Sequence, residues 1–223
     1  MADILYVFAH PDDETFTVGG MIAHHHDLRK SQTLYCATHG EAGKTGNPPV
    51  CSKEELSSFR QKELDEAIGI LGLNKLILRD FGDGKLKEMP FEKLVADVLT
   101  VLEEEKPEIV ITFPPEGISG HQDHRIIQQA TLAAVKQASF PTTLYYIIIP
   151  DSVAEKMGRH VYSTPDSEID HSVDVTKYRE QIVAALLAHR SQHLSVEKAF
   201  PEIEKQDWSR FRTHEYFQLG YRK

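Results

Sequence analysis

The chain has 223 residues, enough for one well-buried domain and too few for two of ordinary size. Its 40% hydrophobic and 26% charged residues are typical of a soluble globular protein, and its formal charge of -9 argues against nucleic acid or an anionic membrane as a partner. No basic segment precedes an apolar stretch and no apolar run approaches about 18 residues, so we expect neither a signal peptide nor a membrane span. Two cysteines, Cys36 and Cys51, do not make a disulfide scaffold, which favours a reducing, cytoplasmic location for a single domain over residues 1–223.

Short apolar runs alternate with longer helical patterns along most of the chain. We predict strands at residues 4–9, 33–38, 75–79, 108–113 and 144–149, and helices near 17–29, 54–72, 90–105, 124–139 and 177–193. The strand segments are nearly continuous in apolar residues, as are strands covered on both faces. The alternation predicts an α/β fold with a Rossmann-like, mainly parallel sheet and helices on both faces. Residues 216–221 are interpreted as a late edge strand, and the polar segment 150–176 as an irregular flap or insertion.

The first predicted strand ends in a group of polar side chains of the kind that metal sites use. The sequence there is His10-Pro-Asp-Asp-Glu14, and ligands of open α/β sheets bind outside the carboxyl ends of the strands. We expect His10 and Asp13 to bind one metal ion, which leaves Asp12 to accept a proton from water. Glu14 is expected to cap the following helix or to steady the loop. The alternative interpretation is an acidic turn at a helix start, where carboxylates are common.

A second polar motif, His-Gln-Asp-His at 121–124, follows the apolar run 108–113. We expect His124 to join the two ligands of the first motif in a His2Asp set with open positions for water, as catalytic zinc sites have. Protonated His121 is suited to polarise an acyl oxygen, and Asp123 is suited to orient or charge that ring. The alternative is a surface histidine beside an N-cap aspartate.

Arg60 lies in the helix that follows a long Gly- and Pro-rich loop at 39–53, and loops of that length are often functional. Its guanidinium fork suits a hydroxyl or carboxylate of a substrate, and the alternative is an exposed helix arginine. Successive helix positions face different directions, so the run His24–His26 is interpreted as solvated surface. The pair Gly19-Gly20 lies too late after the first strand for a dinucleotide fingerprint, which argues against NAD.

The two motifs, their strand context and their separation resemble those of the LmbE-like (PIG-L-like) N-acetylglucosamine deacetylases. The stretch 38–49 together with 60–64 is similar to the members that act on N-acetylglucosaminyl malate in bacillithiol biosynthesis. The resemblance implies a Rossmann-like fold, zinc as the usual metal with iron(II) as the alternative, and a small-molecule sugar conjugate as the partner. It implies these roles: metal ligands His10, Asp13 and His124; general base Asp12; oxyanion stabiliser His121, steadied by Asp123; and substrate contact Arg60.

The function implied is metal-dependent hydrolysis of the N-acetyl amide of an N-acetylglucosamine conjugate. Two alternatives stay open: an amidase of bacillithiol S-conjugates, and a catalytically silent module that binds sugars. Homo-oligomerisation is also left open. The stretch His189–Gln192 is similar to a segment near the site of the family, without an assigned role.

Overall fold

A seven-stranded sheet with the strand order β3-β2-β1-β4-β5-β7-β6 forms the centre of the protein in a computed structural model, which describes residues 2–201, 203 and 211–223. The strands are β1 (Ile4–Phe8), β2 (Gln32–Cys36), β3 (Lys75–Leu78), β4 (Ile109–Thr112), β5 (Thr143–Ile148), β6 (His171–Asp174) and β7 (His214–Arg222). The helices are α1 (Asp13–Asp27), α2 (Leu56–Leu71), α3 (Phe91–Glu105), α4 (Gln122–Gln137), α5 (Asp151–Ala154), α6 (Arg179–Ala188) and α7 (His193–Ala199).

Strands β1 to β5 are parallel, and the chain crosses from each to the next through a helix or a long loop with a helix. Helices α1, α2 and α6 pack on one another, and α3 packs on α4. Right-handed crossovers that run in opposite directions from β1 place these two groups on opposite faces of the sheet. Strands β1 and β2 are buried along their whole length for this reason. The predicted Rossmann-like, mainly parallel α/β fold is confirmed.

The second half of the chain departs from the sequence interpretation in two places. The predicted edge strand is β7, which runs antiparallel to β5 and lies second from the edge. The edge position belongs to β6, which lies inside the segment 150–176 that was expected to be irregular. The sequence of β6 is His-Ser-Val-Asp, and three of its four side chains are exposed, so it lacks the apolar pattern of a buried strand.

Helix α1 begins at Asp13, four residues before the predicted start, and it is broken at Val18 (φ -126°, ψ 18°). The break frees backbone groups, which are bound by a buried carboxylate and a partly buried guanidinium from the chain around β7. The Glu215 carboxylate accepts the N–H groups of Gly20 (2.9 Å) and Met21 (2.8 Å). Arg212 donates to the carbonyl of Thr15 (2.9 Å) and pairs with Glu215 (3.0 Å). This pair caps the break from outside the helix.

The carboxyl ends of the parallel strands β1, β2, β3 and β4 lie at one edge of the sheet. In the described ranges, no helix is long and apolar enough to cross a membrane. A single domain over residues 1–223 stays a prediction, because residues 1, 202 and 204–210 lie outside those ranges.

Candidate active site

The turn between β1 and α1 is held by its own side chains. The Asp13 carboxylate accepts the backbone N–H groups of His10 (2.8 Å) and Ala9 (3.2 Å). Asp12 has a positive φ of 106°, and its carbonyl accepts the N–H groups of Thr15 (3.0 Å) and Phe16 (2.9 Å) at the start of α1. The turn therefore points the Asp12 and Asp13 side chains in different directions.

Three predicted metal ligands lie together at this edge of the sheet. His10 Nδ1 is 3.3 Å from His124 Nε2 and 3.5 Å from Asp13 Oδ2, and His124 Nε2 is 3.2 Å from Asp13 Oδ1. Ligand atoms bound at about 2.0–2.1 Å to a tetrahedral zinc ion lie about 3.3 Å from one another. The donor set of His10, Asp13 and His124 fits a divalent cation.

Hydrogen bonds on the far side of each ring set the tautomers of the two histidines. His124 Nδ1 is 3.0 Å from the carbonyl of Gly117, which can only accept, so Nε2 keeps its lone pair. The His124 ring also stacks on Phe113 with centroids 4.0 Å apart. His10 Nε2 lies 3.0 Å from Asp83 Oδ1 and 3.3 Å from Asp123 Oδ2. Carboxylates in this position orient a ligating imidazole and raise its basicity.

The charges around these ligands stabilise a cation. Burial alone lowers the pKa of His10, but hydrogen bonds to Asp123, Asp13 and Asp83 outweigh it and raise that pKa well above its ordinary value. Burial likewise raises the pKa of Asp13, yet His124 and His10 lower it well below its ordinary value. Positive charge is favoured at this point of the site, whether a proton on the imidazole or a metal ion beside it carries that charge.

Asp83 is a site residue that the sequence interpretation missed. It is buried, and its other oxygen accepts the N–H of Ala42 (3.0 Å), while its own N–H donates to Glu41 (2.8 Å). Asp83 follows the carboxyl end of β3 as His10 follows that of β1, so the same strand-end rule identifies it. His10, Asp83 and Asp123 form a second donor group, and His10, His121 and His124 form a third.

Arg60 contacts Asp12 rather than open solvent. Its side chain is only 4% exposed, and Nη2 lies 3.0 Å from Asp12 Oδ2. Nη1 donates to the carbonyl of Gly40 (2.8 Å), and Nη2 also donates to the carbonyl of Pro11. Burial raises the pKa of Asp12 to about 6, and the positive charge of Arg60 opposes that rise. Arg60, the predicted substrate contact, therefore binds both the predicted base Asp12 and the Gly-rich loop.

His121 lies at the solvent side of the site, with its ring centroid 4.8 Å from that of His10 and 5.0 Å from that of His124. Its Nδ1 accepts the backbone N–H of Asp123 (3.2 Å), which leaves the ring proton on Nε2. Burial, followed by the charges of His10 and His124, lowers the pKa of His121. The lowered pKa favours a neutral ring with an Nε2–H donor, whereas the sequence interpretation expected a protonated ring.

The Asp123 carboxylate was expected to steady His121, but its hydrogen bonds go elsewhere. It is fully buried and accepts the N–H groups of Gly84 (2.7 Å) and Leu86 (3.3 Å) in addition to facing His10. Asp123 therefore holds the His121 ring through its backbone N–H, while the charge of its carboxylate opposes the lowering of the His121 pKa.

A family model described as PIG-L, GlcNAc-PI de-N-acetylase, matches residues 5–135, and this range contains every site residue predicted from the sequence. The chain belongs to the PIG-L family. This PIG-L chain is 34% identical over 194 residues to a probable N-acetyl-α-D-glucosaminyl L-malate deacetylase 2 of Bacillus anthracis, covering 85% of this chain and 80% of that relative.

A second relative has a different sugar conjugate in its name. The 1D-myo-inositol 2-acetamido-2-deoxy-α-D-glucopyranoside deacetylase of Saccharomonospora viridis is 29% identical over 226 residues, covering 85% of this chain and 84% of the relative. The N,N'-diacetylchitobiose deacetylase of Pyrococcus horikoshii has the same fold, with a TM-score of 0.72 at 22% identity over 98% of this chain and 84% of that one. The names of the two sequence relatives therefore differ in the group that is attached to the N-acetylated sugar.

Proposed function

We propose that this PIG-L protein is a metal-dependent hydrolase that removes the N-acetyl group from an N-acetylglucosamine conjugate. The observation that carries the proposal is the arrangement of His10, Asp13 and His124 with ligand atoms 3.2–3.5 Å apart, beside the separately held carboxylate of Asp12. Such a site combines a cation position with a proton acceptor, which amide hydrolysis needs.

His10, Asp13 and His124 are the proposed metal ligands, and two neutral imidazoles with one carboxylate suit zinc, with iron(II) as the alternative. When bound, the metal lowers the pKa of water and polarises a carbonyl oxygen. Asp83 and Asp123 hold the His10 ring from behind through its Nε2–H.

Asp12 is the proposed general base. With a pKa of about 6, the Asp12 carboxyl is mostly ionised at neutral pH and can accept a proton from water. The same pKa lets the protonated carboxyl donate that proton in the following step. Asp12 takes a proton from water as the water oxygen forms a bond to the acetyl carbon. As the carbon–nitrogen bond breaks, the same carboxyl donates that proton to the leaving amine, and the products are acetate and a free glucosamine amine.

His121 is the proposed donor to the developing oxyanion. Its Nε2–H is the ring proton left after Nδ1 accepts the N–H of Asp123, so a neutral imidazole can serve this role. Because the oxyanion forms only in the transition state, the contact affects kcat more than substrate binding.

The proposed substrate is N-acetylglucosaminyl malate. The relative from Bacillus anthracis, named for this conjugate, is 34% identical to the chain over the aligned residues, compared with 29% for the relative named for an inositol conjugate. Acetate release from N-acetylglucosaminyl malate, the inositol conjugate and free N-acetylglucosamine by the metal-loaded protein tests the proposal directly.

We expect the malate conjugate to have the highest kcat/KM of the three. Faster release of acetate from the inositol conjugate would replace the malate assignment and keep the deacetylase. Cleavage of a bacillithiol S-conjugate in place of all three would indicate an amidase. Bound metal with no turnover of any conjugate would indicate a silent binding module.

A further inference from the structure

A buried carboxylate–imidazole pair lies directly behind the site, and none of the steps above uses it. Glu14 and His189 are both 0% exposed, and His189 Nε2 is 3.3 Å from Glu14 Oε1. The hydroxyl of Thr15 donates to the same oxygen at 2.6 Å. Burying a charged group costs free energy unless its hydrogen bonds are made, so a carboxylate–imidazole pair at this position needs a structural or functional explanation.

The second carboxylate oxygen of Glu14 binds the backbone of Asp12, the proposed base. Glu14 Oε2 accepts the backbone N–H of Asp12 at 3.1 Å. Asp12 has φ 106° and ψ -28°, a backbone conformation that residues with side chains rarely adopt, so the surroundings must hold it. Glu14 holds the amide of Asp12, while the first turn of α1 holds its carbonyl. The direction of the Asp12 side chain depends on both contacts.

The backbone that follows His189 is held by contacts with α2 and with the Gly-rich loop. The turn that follows His189, residues 190–192, is fixed to α2 because Glu63 accepts the N–H (2.7 Å) and the hydroxyl (2.6 Å) of Ser191. Gln192 donates from the same turn to the carbonyl of Lys44 in the Gly-rich loop (2.8 Å). The turn therefore gives Glu14 a fixed partner that lies 175 residues away in the chain.

We propose that Glu14 and His189 are positioning residues for Asp12, an inference that rests on the proposed function of Asp12 as the base. Glu14 holds the Asp12 amide in its positive-φ conformation, and His189 fixes the Glu14 carboxylate so that it can do so. Neither residue touches the three proposed metal ligand atoms. A displacement of about 1 Å can cost about 10²-fold in rate, so loss of this hold affects kcat with little effect on KM.

The test compares Glu14→Ala with Glu14→Gln in the metal-loaded protein. We expect Glu14→Ala to lower kcat by about 10²-fold, with KM within about twofold and one equivalent of metal retained. Glu14→Gln keeps an oxygen that can accept the Asp12 N–H, so kcat should return to within about fivefold of the wild-type value. His189→Leu fills the space without the donor and should lower kcat in the same way, by about tenfold.

The matched control is Tyr146→Phe, which removes a buried hydrogen bond (2.9 Å) between strand β5 and Gln128 of helix α4. It should lower the unfolding temperature without changing kcat. Loss of metal in Glu14→Ala, equal loss of kcat in the alanine and glutamine variants, or failure of both Glu14→Ala and His189→Leu to fold would each overturn the positioning role.

A crystal structure of Glu14→Ala gives a result that does not depend on activity. We expect the φ of Asp12 to leave the positive region, and an unchanged Asp12 backbone would overturn the inference. If the wild-type protein releases no acetate from any conjugate, the proposed function fails, whereas the backbone of Asp12 in this crystal still decides whether Glu14 holds it.

Discussion

Replacing Arg60 with methionine should shift the pH dependence of the reaction. The guanidinium lies 3.0 Å from Asp12 Oδ2 at a site where the Arg60 side chain is 4% exposed and that of Asp12 is 15% exposed. A hydrogen bond to a charged group is worth about 1.5–3 kcal/mol, and one pKa unit corresponds to about 1.4 kcal/mol. Loss of Arg60 should therefore raise the pKa of Asp12 by about 1–2 units. Methionine keeps much of the buried volume without the charge.

The sign of the effect follows from the role of Asp12. A general base acts in its ionised form, so the acidic limb of the kcat/KM profile reports its pKa in the free enzyme. A higher pKa of Asp12 moves this limb to higher pH. At pH values below the limb, kcat/KM should fall by about 10- to 100-fold, and at pH values above it kcat/KM should return to the wild-type value. The measurement is acetate release between pH 5 and 9, conditions chosen to span both limbs, for wild type and Arg60→Met.

Lys177→Met is a suitable control, because Lys177 pairs with Asp27 (2.9 Å) at the end of α1 remote from Asp12, where both side chains are more than half exposed. The kcat/KM–pH profile of this control variant should coincide with that of the wild type. If the acidic limb of Arg60→Met stays in place while KM rises, Arg60 contacts the substrate as the sequence interpretation expected, and its hold on Asp12 has no catalytic consequence.

Three further substitutions test the other assignments. Asp13→Asn should lose bound metal and activity together, which metal analysis after gel filtration measures; a full equivalent of tightly held metal would remove Asp13 from the ligand set. Asp12→Asn should keep its metal and lose about 10²–10⁴-fold in kcat, and metal loss instead would make Asp12 a ligand. His121→Ala should lower kcat by about 10²-fold with KM little changed, and an unchanged kcat would end its assignment to the oxyanion.

The sheet and its helices could be predicted because buried parallel strands have an apolar pattern that few other structures share. The predicted strand at 4–9 is β1 at Ile4–Phe8, and the predicted helix at 90–105 is α3 at Phe91–Glu105. Strand β6 was missed because it lies at an edge with exposed side chains, and its pairing with β7 depends on residues at least 40 positions away.

The site could be predicted in part, for the same physical reason. Polar groups at the ends of strands β1 and β4 meet because parallel strands end at the same edge. The partner of each side chain could not be predicted, because it depends on rotamers and on loops distant in sequence. Arg60 illustrates this, since a helix arginine gives no sequence signal that its fork will bind Asp12 and Gly40.

The place of β7 between β5 and β6 has a consequence for the order in which the protein is completed during synthesis. Among the described residues, strand β6 has no neighbour in the sheet other than β7, so its pairing waits until residues 214–222 have been made. Glu215, on the same strand, reaches back 195 residues to the amide of Gly20 in the helix that carries Asp13. When both polar motifs of a nascent chain have been synthesised, the break in α1 therefore still lacks the side chain of Glu215 that caps it. A ribosome-bound fragment ending before residue 214 should bind metal less tightly than the finished protein.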